Sequence, residues 1–146
     1  MKTLVVFDSA HGNTARIAES IGGALGGQAK VLHVSKVRAE DLDGVDQLIV
    51  GSPTQGGRAT EAITDFLNSI SPSTLAAVKV AAFDTRLSTK FVGIFGYAAG
   101  RITAELSRRG GNVIAPPAGF IVKGRSGPLQ AKELERAAEW AKTLDR

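Results

Sequence analysis

The chain has 146 residues, 43% hydrophobic and 22% charged, a composition expected of one globular domain spanning residues 1–146 rather than of a disordered segment. It contains no cysteine, which excludes disulfides, a thiolate nucleophile and an iron–sulfur cluster, and its two histidines lie too far apart in sequence to suggest a zinc site. The net charge of +4 comes from scattered basic residues with no nucleic-acid-binding motif around them, so nucleic acid is not an expected partner.

The first apolar run, Leu4-Val5-Val6-Phe7, reads as a strand over 3–8. It stops at Asp8, far short of a signal peptide core or a membrane span, so a cytoplasmic location is expected. Ser9-Ala10-His11-Gly12-Asn13-Thr14 follows, and then a helical pattern over 14–25 with Ile17, Ile21 and Leu25 on one face. The first turn of a helix carries amides without intrahelical partners and the positive end of the macrodipole, which together suit an anion. Gly12 and Asn13 tolerate the positive φ of a tight amide nest, and Ser9, Asn13 and Thr14 add short polar side chains that can donate to phosphate. Asn13 and Thr14 are equally the residue types of an ordinary turn and cap. The loop has neither the Gly-Lys-Ser/Thr end of a nucleoside-triphosphate loop nor the Gly-x-Gly-x-x-Gly dinucleotide fingerprint.

The glycines of Gly22-Gly23-Ala24-Leu25-Gly26-Gly27 fall at the end of the helical pattern and mark its terminus. A second strand is expected over 29–34, and the acidic stretch 36–46 holds one short helical turn from Ala39 to Leu42. Further strands are expected over 47–51, 79–84 and 118–123, and helices over 60–70, 97–109 and 129–144. This alternation argues for parallel βαβ units. Ser126 or Gly127 can cap the last helix and Pro128 suits its first turn, with Leu134, Ala137, Ala138, Ala141 and Leu144 as a buried stripe and Trp140 at its rim, packing rather than binding.

Residues 9–14 resemble the Ser/Thr-x-Thr-Gly-Asn-Thr loop with which flavodoxins hold the phosphate of FMN, with His11 in place of one hydroxyl residue. The resemblance implies an α/β three-layer fold, a doubly wound sheet of five parallel strands in the order 2-1-3-4-5, with the ligand beyond the carboxyl ends of the strands. It also implies walls for the flavin ring at two further strand ends. Pro53, Thr54 and Gly56 resemble the loop beside the ring, where Gln55 replaces the usual aromatic. Asp84, Thr85 and Arg86 stand in the third loop, where Asp84 and Thr85 can meet the pyrimidine edge and Arg86 the N1/O2 side; Asp84 is equally a turn or cap residue. Phe91, Phe95 and Tyr97 can close over a ring or pack in the core.

The expected ligand-end segments 52–59, 85–96 and 123–128 contain Arg58, Arg86, Lys90, Lys123 and Arg125 and no Asp or Glu. Flavodoxins commonly present an acidic face around the flavin, so this basic rim departs from the resemblance and points to an acidic redox partner protein or to NAD(P)H, unless the charges serve solubility alone. The function implied is FMN-dependent electron transfer, either as a carrier or as an NAD(P)H- or quinone-linked oxidoreductase, with no catalytic side chain required. The alternative is a binding or regulatory module that keeps the anion site without flavin redox function. A receiver domain fails for want of an Asp in Gly51-Ser52-Pro53, and a hydrolase fails because Asp8, Ser9 and His11 are too crowded to form a relay.

Overall fold

The computed structural model describes residues 1–27, 29–88 and 97–144. Lys90, Phe91 and Phe95 of the sequence analysis lie outside the described residues.

Each strand alternates its apolar side chains between two cores, as the period of two of a pleated strand requires. In β1 (Thr3–Phe7), Leu4 and Val6 face one core and Val5 the other; in β3 (Gln47–Pro53), Leu48 and Val50 oppose Ile49; in β4 (Lys79–Leu87), Val80 and Ala82 oppose Ala81 and Phe83. A sheet apolar on both faces must be covered on both. Helices α1 (Asn13–Ala24) and α4 (Glu133–Leu144) cover one face through Ile17, Ile21, Ala137 and Ala141. Helices α2 (Glu61–Ser69) and α3 (Ala98–Arg108) cover the other through Ile63, Phe66, Ile102 and Leu106.

The sheet is parallel, with order β2-β1-β3-β4 and then the last position, where β2 is Ala29–His33. The expected three-layer doubly wound order 2-1-3-4-5 is thus the observed one. The fifth position is shared by two pieces, however: β5 (Asn112–Val113) pairs with the start of β4 and β6 (Ala118–Val122) with its end. Pro116 and Pro117 lie between them, and a residue without an N–H interrupts a ladder.

Two boundaries differ from expectation by three residues or more, and β3 runs two residues further, to Pro53. Strand β4 runs to Leu87 rather than residue 84, because β6 continues its ladder through Arg86↔Ile121 and Leu87↔Val122. Thr85 and Arg86 are therefore strand residues with fixed side-chain directions. Helix α4 starts at Glu133 rather than 129, and Ser126, Gly127 and Pro128 belong to the preceding loop. There Lys123 N donates to Pro128 O at 2.9 Å and Gln130 N to Ile121 O at 2.8 Å, which folds the loop back on β6 instead of into a helix. The helix stripe itself is as expected at Ala137, Ala141 and Leu144, while Leu134 and Ala138 are half-buried. Trp140 packs against Phe83 and Phe120, each with ring centroids 6.2 Å away.

Close approach fixes two glycines. A Cβ at Gly51 would overlap the ring of Phe83, its β4 neighbour, and one at Gly22 would overlap Val31, so α1 packs tightly against β2.

Candidate functional site

The order reverses between β1 and β3, and at such a switch point the loops leaving neighbouring strands diverge and open a crevice. A cavity of about 510 Å³ lies there, within the usual range for small-ligand sites.

The loop after β1 is built around Ser9. Its Oγ accepts from Gly12 N at 3.0 Å and from Ala15 N at 3.3 Å, drawing the loop into a nest before α1. Gly12 occupies the helix N-cap with φ 88°, a left-handed conformation that a side chain disfavours. The backbone amides of Asn13 and Thr14 then open the helix with no hydrogen-bond acceptor among the described residues. Below the loop, Asp8 Oδ1 accepts from Ser9 N at 2.8 Å and lies 3.1 Å from His33 Nε2. Because His33 Nδ1 accepts from Ser35 N, its Nε2 carries the proton and donates to Asp8. Both bonds fall on the same oxygen of the Asp8 carboxylate.

The loop after β3 is a tight turn. Gln55 N donates to Arg58 O at 2.9 Å and Arg58 N to Gln55 O at 3.1 Å, around Gly56 (φ 58°) and Gly57 (φ 78°). Two consecutive positive φ angles are what a type I′ turn needs, which accounts for the Gly-Gly pair. Arg101 Nε of α3 donates to Gly57 O at 2.8 Å. Thr54 N donates to Thr85 O at 2.8 Å, and Thr54 Oγ1 accepts from Ala98 N at 3.1 Å, so Thr54 ties β3, β4 and the start of α3 together.

At the end of β4, Thr85 Oγ1 lies 2.8 Å from Thr14 Oγ1, a buried bond joining the first and third loops. Asp84 is fully buried, and both its oxygens are used: Arg86 Nε donates at 2.7 Å, Arg86 Nη2 at 2.8 Å and Ala99 N at 2.9 Å. The Arg86 guanidinium stacks 3.5 Å from the centre of the Tyr97 ring, and a Cβ at Gly119 would overlap the guanidinium. It is a fixed element of the wall.

Of the residues singled out by sequence, Ala10, His11, Asn13, Thr14, Pro53, Thr54, Gln55, Gly56, Thr85 and Arg86 all line this one cavity. Ser9 and Gly12 shape the nest from within, and Asp84 faces Arg86 and α3 rather than the cavity. Gly57, Leu87, Val122 and Arg125 complete the lining. Leu87 and Val122 are register partners at the ends of β4 and β6, invisible while β4 is thought to stop at residue 84. Arg125 is evident in sequence only as a rim charge. The lining contains no carboxylate among the described residues, so a phosphate meets donors without an opposing anion. The fit to a phosphorylated ligand with a flat apolar body is therefore good at both ends: amides and hydroxyls at α1, and Pro53, Leu87 and Val122 along the walls.

These features define a doubly wound α/β protein with an anion-competent nest and an apolar cavity at its switch point. A model of the flavodoxin domain matches residues 4–94. The chain belongs to the flavodoxin-domain family. Its fold is similar to that of a flavodoxin from the domain Archaea, at 21% identity and TM-score 0.81 with the whole of both chains covered. It is also similar to flavodoxin 2 from Bacillus cereus, at 24% identity and TM-score 0.80 over 99% of this chain and 98% of that one. The two-electron-reduced flavodoxin of Megasphaera elsdenii aligns at 19% identity and TM-score 0.73, over 97% of this chain and 98% of that one. A sequence search of curated proteins finds no significant match. Among the described residues, no helix is long and apolar enough to cross a membrane.

Proposed function

We propose that this protein binds FMN noncovalently in the switch-point cavity and serves electron transfer. The observation that carries the reading is the meeting, in one cavity, of the unpaired amides of Asn13 and Thr14 with a carboxylate-free, largely apolar space. Asn13 and Thr14 amides, the Ser9 and Thr14 hydroxyls and His11 would hold the phosphate. Pro53 to Gly56, Thr85 and Arg86 would wall the ring. When bound, the flavin supplies one- and two-electron chemistry; the chain supplies binding, orientation and shielding from water. Gln55 provides no aromatic face, so the ring is held by backbone and by apolar walls. The same cavity in enzymatic form is an NAD(P)H- or quinone-linked oxidoreductase.

A second reading, an anion-binding regulatory module without flavin redox function, is favoured by two observations: Gln55 stands where an aromatic would stack, and Asp84 is consumed by Arg86 and Ala99. Titration of the flavin-free protein with FMN and with riboflavin, followed by quenching of flavin fluorescence, separates the two. Two charge-assisted amide bonds at about 1.5 kcal/mol each correspond to roughly 100-fold tighter binding of FMN than of riboflavin. No binding of FMN at micromolar concentration overturns the first reading, and equal affinities overturn the role of the nest.

A further inference from the structure

We propose that the cavity mouth is a docking surface for a redox protein that presents a carboxylate-rich face. The proposal rests on the FMN reading for its purpose and on a group of unpaired cations around the cavity for its evidence.

Seven of the described cations sit beside carboxylates. Lys30 pairs with Asp41, Arg38 with Glu40, Arg108 and Arg109 with Glu105, Arg136 with Glu133, and Lys142 with Glu139. Arg86, a rim charge by sequence, is neutralised by Asp84. Eight exposed cations have no carboxylate of the described residues within ion-pairing distance of their side chains: Lys2, Lys36, Lys79 and Lys132 are scattered, whereas Arg16, Arg58, Lys123 and Arg125 are grouped. The grouped four belong to the first turns of α1, the turn after β3 and the loop after β6, the connections that surround the cavity. The carboxylates at this end are mostly engaged: Asp84 is held by Arg86 and Glu133 by Arg136 and Ile121 N, while Glu135 lies in the first turn of α4. Asp8 is held by His33 and Ser9 N, and Glu61 sits in the first turn of α2, where it complements the helix dipole.

The arrangement favours a protein face over a nucleotide phosphate. A phosphate site draws donors together around one point, with short charge-assisted bonds. These four cations instead project from three separate connections and make no shared contact. Charges spread over a surface in this way steer and orient an oppositely charged macromolecule, and they bring it to the edge of the cavity where the ring would lie.

The test is a calorimetric titration of the flavin-free chain with an acidic plant-type ferredoxin, against basic cytochrome c as the opposite-charge control, at about 0.02 M and 0.2 M ionic strength. Arg58→Glu/Lys123→Glu is compared with the parent; both side chains lie outside the cavity lining, so an unchanged melting temperature and far-ultraviolet circular dichroism spectrum verify the fold. The expected result is ferredoxin binding that weakens about tenfold or more at the higher salt and again on charge reversal, with no binding of cytochrome c. Absence of ferredoxin binding, equal binding by parent and variant, or preference for cytochrome c overturns the proposal. So does saturable NADPH binding abolished by the substitutions without ferredoxin binding, which would make the rim a nucleotide site. Because no flavin is present, these outcomes are independent of the FMN titration.

Discussion

Asp84→Asn is the most direct probe of how the cavity wall is held. The carboxylate is fully buried and accepts three bonds, from Arg86 Nε at 2.7 Å, Arg86 Nη2 at 2.8 Å and Ala99 N at 2.9 Å. Asparagine keeps the shape but offers one acceptor oxygen, and its NH2 must then face either the guanidinium or the Ala99 N–H, donor against donor. Breaking one side of a buried ion pair costs about 3–5 kcal/mol, chiefly because the remaining charge is left uncompensated. The Arg86 side chain is 18% exposed and can recover some hydration from the cavity, which puts the expected loss near the lower limit, about 3 kcal/mol. For a chain of this size that corresponds to a fall in melting temperature of roughly 6–12 °C. Urea and thermal denaturation of the flavin-free protein measure it, alongside Arg86→Met and the double variant. Arg86→Met should also destabilise, and the double variant should lose less than the sum, with a coupling of about 1–3 kcal/mol. A loss below about 0.5 kcal/mol for Asp84→Asn, or strict additivity, would refute the clamp.

Thr14→Val removes the hydroxyl that meets Thr85 at 2.8 Å; FMN affinity should drop about 10–100-fold in a fluorescence titration while riboflavin affinity is unchanged, and an equal fall for both would count against the phosphate assignment. Gly51→Ala drives a methyl group into the buried Phe83 ring, with an expected loss of about 1–3 kcal/mol in denaturation, partly restored by Phe83→Leu; an unchanged melting temperature contradicts the close approach. Glu133 is held below its ordinary value of 4.5, first by the hydrogen bond from Arg136 and then by that from Ile121 N. A carboxyl depressed in the folded state stabilises fully above its unfolded value and loses that contribution as pH falls through the lower folded value. Glu133→Gln should therefore destabilise by about 1–2 kcal/mol at neutral pH, with the gap to the parent closing below pH 4.5; a gap that is constant with pH rules out this origin.

Much of this architecture is legible in one dimension because it is local. Leu4 to Phe7 and the spacing of Ile17 and Ile21 announce a strand and a helix by period, and Gly12-Asn13-Thr14 between them announces a helix entry with open amides. What is not legible depends on partners distant in sequence. The extension of β4 to Leu87 is caused by β6, more than thirty residues later, and it turns Thr85 and Arg86 from loop into strand. The start of α4 is displaced to Glu133 because the segment before it finds bonds on β6, so that Pro128 sits in a loop despite being a suitable first-turn residue.

The sequence by itself therefore determined the alternation of elements, the anion-competent nest and the surplus of positive charge at the ligand end, since propensity, periodicity and composition act over a few residues. Only the tertiary structure decided which polar groups remain free for a ligand. Asp84 and Arg86, both plausible ring contacts by position, satisfy each other because burying either charge alone is prohibitive, and the distant Ala99 N–H takes up what remains of the carboxylate.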